Sequence, residues 1–322
     1  MKRSLIAALA LAGLMAATGA LAAAQNRNNA PCDRACLAAK LDQFLKAVVD
    51  KDPSKAGLFV GFRQTQNAVL APAGEGIWKT NTGMGTLDRR YYDADTSQAE
   101  FYGTMKEGDR TAIVSLRMRV ERGEVTEAEW HIARDDDPGI TGTPAGRMYN
   151  LQTLEQNPPA QRVVPVAERH SREALIAAVN SYFDGIVLGS GRYVQANPGC
   201  IRLENGQGVT GTDRRVAPAD ADFQTSADCR SGYAGLNIQN VQARRYLMVD
   251  MEAQIVVASA VFIREPYSQK RRNCFMEVFY MDGGKISAVY AAMVYADPKL
   301  PMPNWAPYEG NFAIAAPLIY QP

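Results

Sequence analysis

Apolar residues recur every three or four positions in two separate stretches of the chain, which is the spacing of one face of an α-helix. The first stretch carries Leu37, Leu41, Phe44, Leu45, Val48 and Val49, and the second carries Leu175, Val179, Tyr182, Phe183, Ile186 and Val187. Asp52-Pro53 ends the first pattern, whereas Ser171 is a good N-cap and Gly189 a good stop for the second. The sequence therefore predicts two amphipathic helices, which are offset by 138 residues.

The segments that follow the two helices also resemble each other, in the same order. Residues 62–67 follow the first helix as residues 200–205 follow the second, and the turn within residues 120–126 parallels the turn within residues 281–287. Each of these turns has the composition of a hairpin that leads into a strand. The chain is therefore predicted to be a tandem duplication with an α+β fold, in which each half combines one long helix with a mainly antiparallel sheet.

Strand patterns are present in both halves. Leu116, Met118 and Val120 alternate with Arg117 and Arg119, which predicts a strand with one face in the core and the other in solvent. Further strands are predicted at residues 253–263, 275–281 and 285–295. The last two would pair as a hairpin across the turn at residues 282–284.

The N-terminal segment has the pattern of a secretory signal peptide. Lys2 and Arg3 precede an apolar run, and small residues allow cleavage after Ala22 or Ala24; an uncleaved membrane anchor is the alternative. The predicted organisation is a signal peptide at 1–24, a first domain at 25–134, a linker at 135–169, a second domain at 170–297 and a Pro-rich tail at 298–322. After cleavage we expect a periplasmic or secreted protein that does not associate with the membrane.

The five cysteines agree with export, because an oxidising compartment favours disulfides. One helical turn would bring Cys32 and Cys36 within disulfide range. A bridge between Cys200 and Cys229 would close an irregular stretch rich in Gly, Asp and Arg. Cys274 is then left over, and its apolar neighbours favour a buried structural thiol.

Composition narrows the possible partners and cofactors. The 322 residues carry 35 Lys and Arg against 34 Asp and Glu, so no excess of positive charge is available to bind nucleic acid or an anionic membrane. His131 and His170 are the only histidines, which excludes a multi-histidine metal site. The G-x-G-x-x-G match at residues 206–211 is not followed by a helical pattern and indicates a loop. We therefore expect no required metal and no other cofactor.

Short motifs across most of the mature chain carry a resemblance to known proteins. They are Cys32-Asp33-Arg34-Ala35-Cys36-Leu37, Lys51-Asp52-Pro53-Ser54, Gly76-Ile77-Trp78, the strand at residues 129–134, Arg244-Arg245-Tyr246 and Val249-Asp250. They resemble a secreted bacterial and fungal family of tandem domains whose function is not established. The repeated order of helix, strands and hairpin resembles the nuclear transport factor 2-like superfamily, which includes ketosteroid isomerase and the SnoaL-like polyketide cyclases. This resemblance implies a cone-shaped half-barrel in each half, with its mouth open to a small apolar ligand.

In that superfamily a carboxylate or histidine that lines the cone usually acts as acid or base, and a phenol or second acid stabilises an oxyanion. The resemblance therefore makes Glu277 a candidate base and Tyr182 a candidate oxyanion donor. Alternation places Glu277 on the face of two phenylalanines, where it either lines a pocket or is paired with Arg245. The alternative for Tyr182 is a core ring whose hydroxyl reaches the surface.

The remaining candidates have weaker support. His131 is a third candidate for catalysis, because Glu129 lies on the same face of its strand, although a structural role is the alternative. Candidate ligand-binding residues in the second half are Glu204, Arg245, Tyr280 and Tyr290.

Two functions from different classes follow from the sequence. The first is an exported protein that binds a small apolar organic molecule in the second cone and acts as an isomerase, lyase or hydratase by general acid–base chemistry. The second is a non-catalytic binding or scaffolding protein of the envelope, whose cones pack against each other or are filled by Trp305 or Tyr308 of the tail. A cone filled with aromatic side chains would favour the second function. The sequence does not predict an oligomeric state.

Overall fold

The structure is a computed structural model that describes residues 31–210, 228–233, 236–265, 268 and 270–297 of the chain. The predicted signal peptide, with its cleavage sites at Ala22 and Ala24, lies outside these residues, and so does the Pro-rich tail with Trp305 and Tyr308. Within the described residues no helix combines the length and apolar character that crossing a membrane requires.

Two copies of one arrangement follow each other along the chain. The helices are α1 (Arg34–Val49), α2 (Ile77–Thr80), α3 (Leu151–Gln156) and α4 (Arg172–Leu188). The strands of the first copy are β1 (Leu58–Gln66), β2 (Val69–Leu70), β3 (Gly83–Asp93), β4 (Gln98–Glu107), β5 (Arg110–Glu121) and β6 (Glu124–Ala133). Those of the second are β7 (Ala196–Glu204), β8 (Gln207–Gly208), β9 (Ile238–Asp250), β10 (Ile255–Arg264), β11 (Arg272–Asp282) and β12 (Lys285–Ala296).

The two six-stranded sheets have identical connectivity, which confirms the α+β fold with two tandem half-barrels. Their strand orders are β2-β1-β6-β5-β4-β3 and β8-β7-β12-β11-β10-β9. Neighbouring strands are antiparallel, except that β1 pairs with β6 and β7 pairs with β12 in parallel. The long helix of each half, α1 or α4, packs on the inner face of its own sheet in a separate apolar core.

The helix ends and the cysteines lie where the sequence predicts them. The Ser171 side chain accepts a hydrogen bond from the Ala174 N–H, and Gly189 ends α4 with a φ of +60°. Disulfides join Cys32 to Cys36 and Cys200 to Cys229, and Cys274 is a buried free thiol. Both predicted pairings are therefore confirmed, and they fit an oxidising compartment outside the cytoplasm.

The outer faces of the two sheets pack against each other, so the prediction that β5 has a solvated face is wrong. The Arg117 side chain on that face is only 2% exposed, because the second sheet covers it. The apolar part of this contact is contributed by Leu87, Tyr91, Tyr102, Ile113, Ala133, Leu203, Leu247, Met248, Ile255, Val257, Met276, Val278, Tyr280, Tyr290 and Ala292. Each half-barrel thus keeps its inner face for its own helix, and shares its outer face with the other half.

Two equivalent ion pairs fix the halves to each other. Arg34 at the start of α1 contacts Asp250 on β9 at 2.9 Å, and Arg172 at the start of α4 contacts Asp93 on β3 at 2.6 Å. Both aspartates also accept a backbone N–H from the opposite half, Asp250 from Tyr92 and Asp93 from Val249. The duplicated residues exchange partners in this way, as they would in an isologous dimer of two single half-barrels.

The turn between β5 and β6 is strained, and relieving this strain is expected to stabilise the protein. Arg122 has a φ of +53°, a region that Asn and Gly adopt at lower cost, and Gly123 follows it. Arg122→Asn creates the Asn-Gly pair that such turns prefer, and should raise the free energy of unfolding by about 0.5–1 kcal/mol. Urea unfolding tests this, with the exposed neighbour Glu124→Asn as control. A gain no larger than that of the control would contradict the strain.

Candidate functional site

The inner face of the second half-barrel carries a group of buried polar side chains near its helix. Arg202 and Glu204 are two residues apart on β7 and therefore share this face, Glu277 contributes a carboxyl from β11, and Tyr182 projects from α4. Each of the four is less than one-tenth exposed. Three of these residues, Tyr182, Glu204 and Glu277, are candidates from the sequence, and the structure brings them together.

The guanidinium group of Arg202 is at the centre of this group. Its Nη1 donates to the Tyr182 hydroxyl at 3.4 Å, and its Nε lies 3.1 Å from a carboxylate oxygen of Glu204 without the alignment of a hydrogen bond. The Tyr182 ring contacts Phe279 edge-on with a centroid distance of 5.4 Å, and this contact fixes the position of the phenol. Because the Tyr182 oxygen accepts from Arg202, its own O–H remains available to donate.

Burial shifts the acids of this group towards their protonated forms. Desolvation raises the pKa of Glu277 well above its usual range, and the nearby Glu204 raises it further, whereas Arg202 opposes the shift. Desolvation also raises the pKa of Glu204, although Arg202 is close to it. The pKa of Tyr182 is likewise well above its usual value because of burial. Oε2 of Glu277 has no hydrogen-bond partner within the described residues. The arrangement thus holds two protonatable carboxyls and a phenol beside one buried positive charge.

Comparison of the halves at the level of Glu277 distinguishes the two inner faces. Across the first sheet the paired residues at this level are Gln66, Trp130, Leu116 and Phe101. Across the second sheet they are Glu204, Ala291, Glu277 and Ala258. The aromatic residues Trp130 and Phe101 of the first half are thus replaced by Ala291 and Ala258, which flank Glu277. Glu277 itself stands where the first half has Leu116.

The residue at the position of Arg202 also differs between the halves, and again the second half carries the charged side chain. Its equivalent in β1 is Gln64, whose side-chain oxygen accepts from Nε1 of Trp78 at 2.9 Å and from Nε1 of Trp130 at 3.0 Å. Phe44 of α1 stands where α4 has Tyr182, and it packs edge-on against Trp78. The first inner face is therefore a filled apolar core with a satisfied amide, and the second has charged and protonatable groups at the same places.

A cleft opens beside Arg202 in the second half-barrel. Its lining consists of Tyr182, Ile186, Arg202, Glu204, Leu236, Ile238, Phe262, Arg264 and Asn273. The empty volume is about 300 Å³, which includes open solvent, and only about 10 Å³ accepts the centre of a water molecule. That inner space corresponds to about one water. The lining is apolar on the side of Ile186, Leu236 and Phe262, and polar around the two arginines.

Tyr280 and Tyr290 do not lie in this cone. Tyr280 is three residues from Glu277, so strand alternation turns it to the outer face, where its hydroxyl contacts that of Tyr91 from the first half. Tyr290 packs on Tyr280 and on Tyr102 in the same contact between the sheets. Both predicted ligand-binding residues therefore lie outside the second cone, in the contact between the sheets.

Arg245 and His131 also lie between the sheets. Arg245 on β9 donates from Nη1 to Glu129 of the first half at 2.8 Å, so the alternative in which it pairs with Glu277 is wrong. Arg117 contacts the same glutamate at 3.4 Å. These two guanidinium groups hold the pKa of Glu129 at about 2 in spite of its burial, and desolvation lowers the pKa of His131 to about 4. His131 is thus a neutral buried side chain outside both cones.

Three residues of the site were not identified from the sequence: Arg202, Ala258 and Ala291. Alanines carry no chemical signal, and their meaning depends on the aromatic residues that occupy the equivalent places of the first half. The signal for Arg202 was present, since it aligns with Gln64 in the predicted duplication. A comparison of the halves residue by residue would have found it.

One comparison with known proteins matches the half of the chain that contains this site. A family model described as a domain of unknown function (DUF8021) matches residues 168–293, which include α4 and most of the second sheet. A crystal structure from Methylobium petroleophilum, described as a protein of unknown function with a cystatin-like fold, aligns with 34% of this chain and 84% of its own. Its identity is 15% and its TM-score 0.30. No curated protein matches this chain.

Proposed function

We propose that the protein binds a small organic molecule with an apolar body in the cleft of the second half-barrel. The observation that carries the proposal is the exchange of Trp130, Leu116 and Phe101 for Ala291, Glu277 and Ala258 at equivalent positions of the two sheets. A purely structural half-barrel would have no use for this exchange, because buried carboxyls cost stability and large apolar side chains add to it. The apolar side of the cleft offers a surface for the body of the ligand, and binding requires the cleft to widen beyond the space for about one water that it has in the structure.

The superfamily and the cellular compartment of the protein are proposals as well. The resemblance of the two halves to the nuclear transport factor 2-like superfamily, with domains at 25–134 and 170–297, is supported by the repeated order of helix and sheet. Export to the periplasm or the medium is supported by the two disulfides and by the charged-then-apolar start of the sequence. The first half-barrel would then serve as a rigid support that packs against the second.

Binding can be tested with a variant that blocks the cleft and an equivalent control. Ile186→Phe adds a ring to the cleft lining, and Val48→Phe adds the same bulk at the equivalent place of α1. Each is expected to cost about 1–3 kcal/mol by overpacking. Native mass spectra of the exported protein, before and after organic extraction, should show a small-molecule adduct on the wild type and on Val48→Phe that Ile186→Phe lacks. An adduct that all three share, or a wild type that neither carries an adduct nor binds an added organic acid or amide, contradicts the proposal.

Acid–base catalysis beside the cleft is the second candidate function, and the raised pKa of Glu277 favours it. Glu277 is not part of the cleft lining, but it lies next to the lining residues Arg202 and Glu204, and Tyr182 brings a phenol into the lining. In this form the protein would be an isomerase, lyase or hydratase, with Glu277 exchanging a proton with the bound molecule and Tyr182 donating to a developing oxyanion. Glu277→Gln should then abolish turnover of the molecule found by mass spectrometry and leave its binding in place. An unchanged rate would remove Glu277 from the mechanism, and a non-catalytic binding protein would remain.

A further inference from the structure

Arg202 has more hydrogen-bond donors than the described residues satisfy. A guanidinium group has five N–H donors, and within the described part of the chain the Arg202 side chain donates to Tyr182 alone. Its Nε is buried and lacks a hydrogen-bond partner there, although Glu204 is 3.1 Å away. The residue is 1% exposed. A buried charged group whose donors lack acceptors lowers the stability of the fold. Such a group is therefore a strong candidate for contact with a ligand.

Within the described residues, the charge of Arg202 is opposed by two carboxyls, one of which contacts it at 3.1 Å. Glu204 and Glu277 are the carboxyls beside it, and burial raises the pKa of both, which favours their neutral forms. A second guanidinium, that of Arg264, lines the same cleft and donates to the Asn273 side chain at 2.9 Å and to the Leu236 carbonyl at 3.2 Å. Both arginines line the cleft, and the buried charge of Arg202 favours a negative charge beside it.

We propose, resting on the proposed function, that the ligand is an organic monocarboxylate whose carboxylate group is bound by Arg202 and whose apolar body lies against Ile186, Leu236 and Phe262. A carboxylate supplies two acceptor oxygens in the geometry that a guanidinium fork matches. Its single charge balances Arg202, and the apolar side of the lining excludes a second charged group at the far end. The equivalent amide in the first half, Gln64, is already satisfied by two tryptophans, so the same ligand has no place there.

Matched acids and amides distinguish this ligand class from a merely apolar one. The probes are benzoate with benzamide for an aromatic body, and hexanoate with hexanamide for an aliphatic body, each titrated calorimetrically into the full-length mature protein. We expect at least one acid to bind about 10- to 100-fold more tightly than its amide, which is the range of a charge-assisted hydrogen bond. The better of the two acids identifies the kind of body that the cleft accepts.

Substitutions of Arg202 link this preference to one side chain. Arg202→Gln introduces the residue that the first half carries, and should reduce the preference for acid over amide to less than about threefold. Arg202→Lys keeps the charge without the planar fork, and should give an intermediate preference. Arg192→Gln, an exposed arginine ahead of β7, is the control for net charge and should leave both affinities unchanged. Thermal unfolding checks that each variant is folded.

Failure of this inference and failure of the proposed function give different results. Equal affinity for acid and amide in the wild type would overturn the carboxylate assignment and leave binding in the second half-barrel standing. A preference for acids that persists in Arg202→Gln would also overturn it. Absence of binding by all four probes, with no adduct in the native mass spectrum, would overturn both proposals together.

Discussion

Replacing Arg245 with methionine is expected to lower the free energy of unfolding by about 3–5 kcal/mol at pH 7. The guanidinium group of Arg245 joins the second half-barrel to Glu129 of the first, and both side chains are at most 4% exposed. Without Arg245 the Glu129 carboxylate keeps its 3.4 Å contact with Arg117 among the described residues, and is left buried with too little compensation. Urea unfolding of the wild type and the variant measures the difference.

Two further variants test whether this loss comes from the uncompensated charge. Glu129→Gln in the Arg245→Met background should recover part of the stability, because the buried charge is then gone. Arg110→Met removes an exposed arginine that contacts Asp135 and Asp136, and should leave the free energy of unfolding nearly unchanged. A loss of similar size in Arg110→Met and Arg245→Met would show that burial of the ion pair has no special effect.

The ion pair between Arg245 and Glu129 also predicts how the stability of the protein changes at acidic pH. The pKa of Glu129 falls from its usual 4.5 to about 2 in the folded protein, so its contribution to stability is fully present above about pH 4.5 and is lost as the pH falls towards 2. In Arg245→Met this acid-dependent loss should be smaller, because the carboxylate has lost its main partner. Unfolding curves at pH 3 and pH 6 for both proteins give this difference directly.

The second large effect is expected at Glu277. Its folded pKa is raised, so its contribution to stability is fully present below about pH 4.5 and is lost as the pH rises through the folded value. Glu277→Gln cannot ionise, and should therefore gain stability relative to the wild type as the pH rises, by about 1–3 kcal/mol at pH 8. Urea unfolding at pH 4.5 and pH 8 measures this gain.

Comparing Glu277→Gln with the wild type separates the effect of Glu277 on stability from the effects of other buried carboxyls. Glu100 between the sheets also has its pKa raised, to about 8, and its contribution is the same in both proteins. Glu124→Gln, at an exposed position, is the control for the removal of one carboxyl from the protein. A gain in Glu277→Gln that is equal at the two pH values would mean that the Glu277 carboxyl is ionised to the same extent in the folded and the unfolded chain.

Local pattern was sufficient to predict much of the fold. The 3.6-residue period gave both long helices, Ser171 and Gly189 gave the ends of α4, and cysteine spacing gave both disulfides. The duplication was also found, because equivalent motifs keep their order. The offset nevertheless changes from 138 residues at the helices and the strands that follow them to 161 at the last hairpin, and so a single-offset alignment misses part of it.

The residues of the site were predicted less completely than the fold, because their roles depend on which face of each sheet is covered by the helix and which by the other sheet. Alternation correctly placed His131 and Glu129 on one face, but could not reveal that this polar face lies against the second sheet. Tyr280 is three residues from Glu277 along β11, so strand alternation places it on the opposite face of the sheet from the cone. Arg245 was misassigned because its partner, Glu129, is 116 residues away and in the other half.

The location of a bound acid tests the central claim, that the second half-barrel is a ligand site and the first is a filled core. The measurement is a nuclear Overhauser experiment between benzoate or hexanoate and methyl-labelled isoleucines of the mature protein. Contacts are predicted to the methyl groups of Ile186 and Ile238, which line the cleft. Contacts to Ile77 and Ile132 in the core of the first half instead, or to no isoleucine of the second half, would contradict the account.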